Sequence, residues 1–248
     1  MNYQNSYFQA KWPTRLRAAF EIVMVSGLVS SFASGFLVSF VFAVFRHGRN
    51  GGSLLEMGIE ALVMYQMLES AITFLILWKL MEVRRETFAM LGLRWKQWKT
   101  NVLLGILAVP CLIILSVMVN LVFRFFLPEY FLEKNPLMEM IHSPQHLALF
   151  IFTVILAGGI KEELQRAFIL RRFHHLGGTG IGLVVWSLVF GAGHYMQGPQ
   201  AICGAAVLGF VFGVLYLIRG NLIPPMVAHS AYNAMTLLIY WFVIGMNE

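Results

Sequence analysis

Gly159-Ile160-Lys161-Glu162-Glu163-Leu164-Gln165-Arg166 is the stretch on which the fold turns. It closes a long apolar segment, yet it carries two acids and two bases. A charge at the centre of a bilayer costs about 2.5–3.5 kcal/mol on insertion scales. Four charges in one apolar helix therefore need partners inside a bundle. A bundle in turn needs other apolar helices to build it.

The flanking sequence supplies them. The chain of 248 residues is 58% hydrophobic and 12% charged, with a mean hydropathy of +0.72. A soluble domain carries about 25% charged residues. About 20 apolar residues cross a hydrocarbon core as a helix. Such runs recur at roughly 22–45, 59–81, 102–123, 147–170, 181–196, 201–218 and 224–246. The expected fold is all-α: a polytopic membrane helical bundle of about seven (six to eight) transmembrane helices. A basic tail (1–21) precedes one transmembrane domain (22–246), and a Gly-rich linker, Arg46–Ser53, follows the first run. No cleavable signal peptide is expected.

The net charge of +6 is membrane patterning and implies no nucleic-acid partner. Of the 18 Lys and Arg, twelve fall in the tail, at Lys79, and in the loops after the second, fourth and sixth runs. The positive-inside rule then puts the N-terminus in the cytoplasm, and we expect an integral protein of the plasma (inner) membrane. The connector 82–100, with Trp95 and Trp98 among bases, suits a headgroup zone. Cys111 and Cys203 lie in apolar runs without disulfide or metal spacing. Ala205, Gly209 and Gly213 recur every four residues, a small-residue face for close helix packing.

Polar groups inside apolar runs mark a site. Glu162, Glu163 and Arg166 lie on the fourth run, His194 at the end of the fifth, and His229 with Asn233 on the seventh. Residues three or four apart share a helix face. Arg166 can thus reach either acid, and His229 and Asn233 point the same way. Glu69, inside the second run, is a further buried acid with a structural or a site role. His142 and His146 form an HxxxH pair, but Pro144 between them argues against a shared helical face, so both are read as surface residues. There is no G-x-S-x-G elbow and no H-E-x-x-H. Carboxylate, imidazole, amide and guanidinium remain. A carboxylate with a histidine can activate water, and a histidine with an amide can stabilise an oxyanion. Glu162, His194 and His229 could instead hold a divalent metal such as zinc; the residue set permits an ion or none.

The motifs Glu162-Glu163-Leu164-Gln165-Arg166, Phe190-Gly191-Ala192-Gly193-His194 and His229-Ser230-Ala231-Tyr232-Asn233 resemble, in order, those of the CaaX protease and bacteriocin-processing (CPBP, Abi) family. Type II CaaX prenyl endopeptidases belong to that family. The resemblance covers about residues 100–246. It implies an intramembrane endopeptidase that cleaves a membrane-proximal peptide or protein, a prenylated CaaX-type one among the options, at a bilayer-embedded site. Glu162 and His194 would activate the water, His229 and Asn233 would stabilise the oxyanion or help bind a metal, and Arg166 would orient Glu163 or Glu162. One departure stands out. The commoner family form has three residues between the second acid and the arginine, and here there are two. Alignment on Arg166 would put Lys161 at the catalytic acid; alignment on the acids gives Glu162, the choice made because lysine cannot serve as the carboxylate.

This reading expects Glu162 and His194 to share a cavity that opens toward the cytoplasm. Two other classes compete with it. One is a proton- or ion-coupled transporter using Glu162, Glu69 and the histidines, although no inverted repeat is evident. The other is a non-catalytic immunity or scaffold membrane protein.

Overall fold

The computed structural model describes residues 12–45 and 57–244. The tail up to residue 11 and the Arg46–Ser53 linker lie outside the described residues. Among the described residues there is no strand. The helices are α1 Trp12–Val25, α2 Leu28–Phe45, α3 Ile59–Arg84, α4 Trp98–Phe126, α5 Pro144–Val154, α6 Glu163–Phe173, α7 Thr179–Ala192, α8 Pro199–Arg219 and α9 Ile223–Ile239. A π-helical segment, Ile155–Glu162, joins α5 to α6, and a second one, Tyr240–Ile244, extends α9.

Over its described residues each expected run is largely helical, but the first is not one span starting at residue 22. The chain turns at Gly27, whose φ of +95° favours glycine. What precedes the turn is a separate helix beginning at Trp12. Among the described residues, four segments are long and apolar enough to cross a membrane: Thr14–Val44, Ile59–Arg84, Trp98–Phe126 and Pro199–Arg219. The others are α5 with its π segment and α6, the short apolar α7, and α9. These carry the unusual polar residues, and neighbouring helices shield them. α9 packs against α4, the π segment, α5 and α8, while α7 pairs with α8. The molecule is an all-α membrane helical bundle.

Small residues set the closest approaches. A Cβ on Gly209 would fall 2.7 Å from Phe190, and one on Gly213 would fall 2.3 Å from Leu183. The glycines of the small-residue face thus seat α8 against α7. Cys111 and Cys203 are exposed on the bundle surface rather than packed within it. His142 is exposed and His146 half-buried; their rings are 6.4 Å apart, and Nε2 of His146 lies 3.9 Å from Glu60. Pro144 opens α5 between them.

The two ends of the bundle are tied differently. At one end the connector after α3 meets the loop between α8 and α9. Gly92 O accepts from Leu222 N–H at 3.0 Å, and Asn221 Nδ2–H donates to Arg94 O at 2.8 Å. A charge cluster closes this end. Glu21 of α1, 2% exposed, pairs with Arg84 at 2.7 Å and with Arg172, and Arg172 pairs with Glu86 at 2.7 Å. Burial would raise the Glu86 carboxyl, but the hydrogen bonds and charges of Arg172 and Arg171 outweigh it and hold Glu86 below the usual carboxylate range. At the other end, the loop after α4 is pinned to the turn after α7. Gln200 Nε2–H donates to Leu132 O at 2.9 Å, and Asn135 Nδ2–H donates to Gln197 Oε1 at 3.0 Å.

Candidate active site

The site is built where the π segment meets α9. A π turn carries an extra residue per turn and is frequent at functional positions. Here it ends at Glu162, and α6 begins at Glu163. Gly158 and Gly159 let α9 come close. A Cβ on Gly159 would fall 1.8 Å from Ser230 Oγ, and one on Gly158 would fall 2.6 Å from Asn233 Nδ2 and 3.5 Å from His229 Nε2. Larger residues would push the imidazole and the amide away from the acids.

The two adjacent acids face different surroundings. Glu163 is fully buried; Arg166 pairs with its Oε1. His229 Nδ1–H donates to the same oxygen at 2.8 Å. The guanidinium of Arg166 lies over Phe190 and Phe212, 4.8 and 5.5 Å from their ring centres. Glu162 instead lines a cavity of about 470 Å³ together with His194, His229 and Asn233. Its Oε2 lies 3.8 Å from His229 Nε2. The four residues expected to meet do share one cavity, at the size usual for ligand sites.

Aromatic rings fix the imidazoles. Phe212 stacks on His229 with 4.4 Å between centroids and 16° between planes. Phe190 lies 4.8 Å from His194, whose Nδ1–H donates to Phe190 O at 2.9 Å. In both histidines the Nδ1 proton is therefore committed, and Nε2 is the nitrogen left for chemistry.

Lys161 does not enter the cavity. Its ammonium is buried, 2.8 Å from Glu69 Oε2 and 3.7 Å from Glu162 Oε1. Glu69 also accepts from Ser30 and Thr73, each at 3.0 Å. The lysine that competes with Glu162 in one alignment is thus turned to α3, and the acid faces the cavity. Among the described residues no group of three His, Cys, Asp or Glu side chains converges to hold a metal ion. The residues present do not fit an ion, so no step below is routed through one.

Three participants had no sequence signal. Phe212 sits in an apolar helix as one apolar residue among many. The Lys161–Glu69 pair joins residues far apart in the chain. Gln200, whose Oε1 is buried on the cavity wall without a partner, lies in what reads as a turn. The cavity is walled in part by Leu132, Asn135 and Gln197, residues of the pinned end, and so lies toward the end away from the charge cluster and the basic connector.

Residues 143–235 match a family model described as Type II CAAX prenyl endopeptidase Rce1-like. No curated protein and no solved structure matches the chain. The matched segment holds Glu162, Glu163, Arg166, His194, His229 and Asn233, within the wider span of about 100–246 expected from the motifs. Over residues 143–235, less than half of its length, the chain is similar to the Rce1-like type II CAAX prenyl endopeptidases, and this segment is set in a membrane helical bundle.

Proposed function

We propose that the protein is a glutamate-dependent intramembrane endopeptidase that hydrolyses a peptide bond in a membrane-proximal peptide or protein, with the lipid bilayer as its setting. The observation that carries the reading is the single cavity holding Glu162 and His229 Nε2 3.8 Å apart, with Glu163 fixing the far side of the imidazole. A water bound between the two gives one hydrogen to Glu162 and lends the other to His229 Nε2. Its oxygen attacks the scissile carbonyl carbon as Glu162 takes the proton. The oxyanion accepts from Asn233 Nδ2–H. The C–N bond breaks, and Glu162 returns the proton to the leaving nitrogen, with His194 Nε2 as the nearby relay. This moves His229 from the oxyanion side to the water side, because its Nδ1 proton is committed to Glu163.

Glu163, Arg166 and Lys161 are positioning residues. Glu163 sets the tautomer of His229, Arg166 holds Glu163, and Lys161 steadies the far oxygen of Glu162 from its anchor on Glu69. The test is cleavage of membrane-anchored peptides by purified protein, read by mass spectrometry with and without chelator. The expected result is cleavage that survives the chelator and is lost in Glu162→Ala, His194→Ala and His229→Ala. Absence of cleavage across the panel, with ion-driven uptake into liposomes, would replace this reading by the transporter.

A further inference from the structure

α8 contributes no group to the proposed hydrolysis, yet it carries Phe212, 1% exposed, between the two glycines that seat it against α7. The Phe212 ring is shared. The His229 imidazole stacks on it, with 4.4 Å between centroids and 16° between planes, and the Arg166 guanidinium lies 5.5 Å from its centre. These are the two groups that donate to the same oxygen, Oε1 of Glu163. Both partners of that oxygen thus rest against one ring. The flanking glycines bring the ring in. A Cβ on Gly209 would strike Phe190, and one on Gly213 would strike Leu183 and lie 3.6 Å from Arg166 Cδ. A side chain at either position would push α8, and Phe212 with it, away from the site.

The imidazole needs such a surface. The hydrogen bond at Nδ1 holds one edge of the ring against Glu163 and leaves the ring free to rock about that contact. Nε2 sits at the other edge, where rocking displaces it most, and it faces Glu162 Oε2 at 3.8 Å. Phe190 meets the imidazole nearly at right angles, 79° between planes at 6.0 Å, so it bounds the ring without lying along its face. Only Phe212 is parallel to it. A ring face also attracts a cation above it, which suits the Arg166 guanidinium. An aliphatic side chain of similar size offers neither the flat surface nor the attraction. We propose that Phe212 is a positioning residue of the site: its ring is the common floor for Arg166 and His229, and its face sets the angle at which His229 Nε2 meets Glu162. The kinetic consequence rests on the protease reading; the structural one rests on the ring geometry alone.

The test compares the full chain with Phe212→Leu, Phe212→Tyr and Phe168→Leu. Phe168 is the control: it is fully buried on α6, carries the Arg172 guanidinium 4.0 Å from its centre, and does not line the cavity. On a membrane-anchored peptide, Phe212→Leu should lower kcat with KM unchanged, toward the loss of about 100-fold that a 1 Å misplacement brings. Phe212→Tyr keeps the face and should recover most of kcat. Phe168→Leu should lower the thermal midpoint and leave kcat of the folded protein at the parental value. The second readout is the Nδ1–H resonance of His229 in protein labelled with ¹⁵N at histidine, assigned by its loss in His229→Gln. It should shift and exchange faster with water in Phe212→Leu, and stay in place in Phe168→Leu. Parental kcat in Phe212→Leu overturns the proposal, as does a loss of kcat with the His229 resonance unmoved or an equal loss in Phe168→Leu. If Phe212→Leu does not fold, Phe212→Met, which also lacks a ring, is judged by the same criteria. A parent that cleaves nothing counts against the protease reading, and the resonance then decides by itself whether Phe212 positions His229.

Discussion

Lys161 and Glu162 are sequence neighbours with opposite destinations. Lys161 points to Glu69 on α3, and Glu162 points to the cavity, with 3.7 Å between ammonium and carboxylate. Removing one partner of a buried ion pair costs about 3–5 kcal/mol, because the other is left uncompensated. Lys161→Met alone should therefore fold poorly. The double variant Lys161→Met with Glu69→Met should fold, and should lower kcat with KM unchanged if Lys161 positions Glu162; Lys161→Arg should restore part of the loss. A double variant with full kcat would reduce the pair to packing. Glu163→Gln keeps the shape around His229 but removes the carboxylate shared with Arg166. A misplacement of about 1 Å costs about 100-fold in rate, so a loss of that order in kcat is expected from single-turnover kinetics. At this scale the candidate site was largely legible. The acids, the arginine, the two histidines and the amide announced themselves because polar groups in apolar runs need a reason. Phe212 could not, since a ring that stacks on an imidazole is written like any core residue. Nor could the destination of Lys161, because the partner that draws it is 92 positions away in the chain.

The element that sets the geometry is the π segment Ile155–Glu162 together with the face of α9 it meets. Its backbone register was not legible. α and π turns differ in which carbonyl each N–H reaches, and the same residue types serve both. The glycines that allow the approach were visible as a pair without a purpose. A Cβ at Gly159 would meet Ser230 Oγ at 1.8 Å and Ser230 Cβ at 2.9 Å. Overpacking of this kind costs about 1–3 kcal/mol. Gly159→Ala should lower the thermal midpoint in micelles and slow cleavage by carrying His229 and Asn233 away from Glu162. Adding Ser230→Gly should recover much of both. If Gly159→Ala cleaves at the parental rate, close packing of the π segment on α9 is not what holds the site.

Across the whole molecule, the apolar runs determined the bundle, and hydropathy located every one of them. It missed the break at Gly27, where a helix-compatible sequence turns because one residue takes a left-handed backbone. Nor does periodicity carry information on which loops fold over a cavity. The charge cluster of Glu21, Arg84, Arg172 and Glu86 locks α1, α3 and α6 at the basic end. Glu86 is held below its ordinary value of 4.5 in the folded protein. Its contribution to stability is therefore fully present above that value and is lost as pH falls through the depressed one. The thermal midpoint should hold down to about the ordinary carboxylate range and drop below it, and Glu86→Gln should flatten that drop.

The central claim is that Glu162 activates the water that cuts the peptide bond. It is tested most directly by kcat of Glu162→Gln on a membrane-anchored peptide, measured in protein whose thermal midpoint matches the parent. The account predicts a loss of about 10²- to 10⁴-fold, the range for a missing general base, with chelator changing neither enzyme. Cleavage by Glu162→Gln at the parental rate would contradict it.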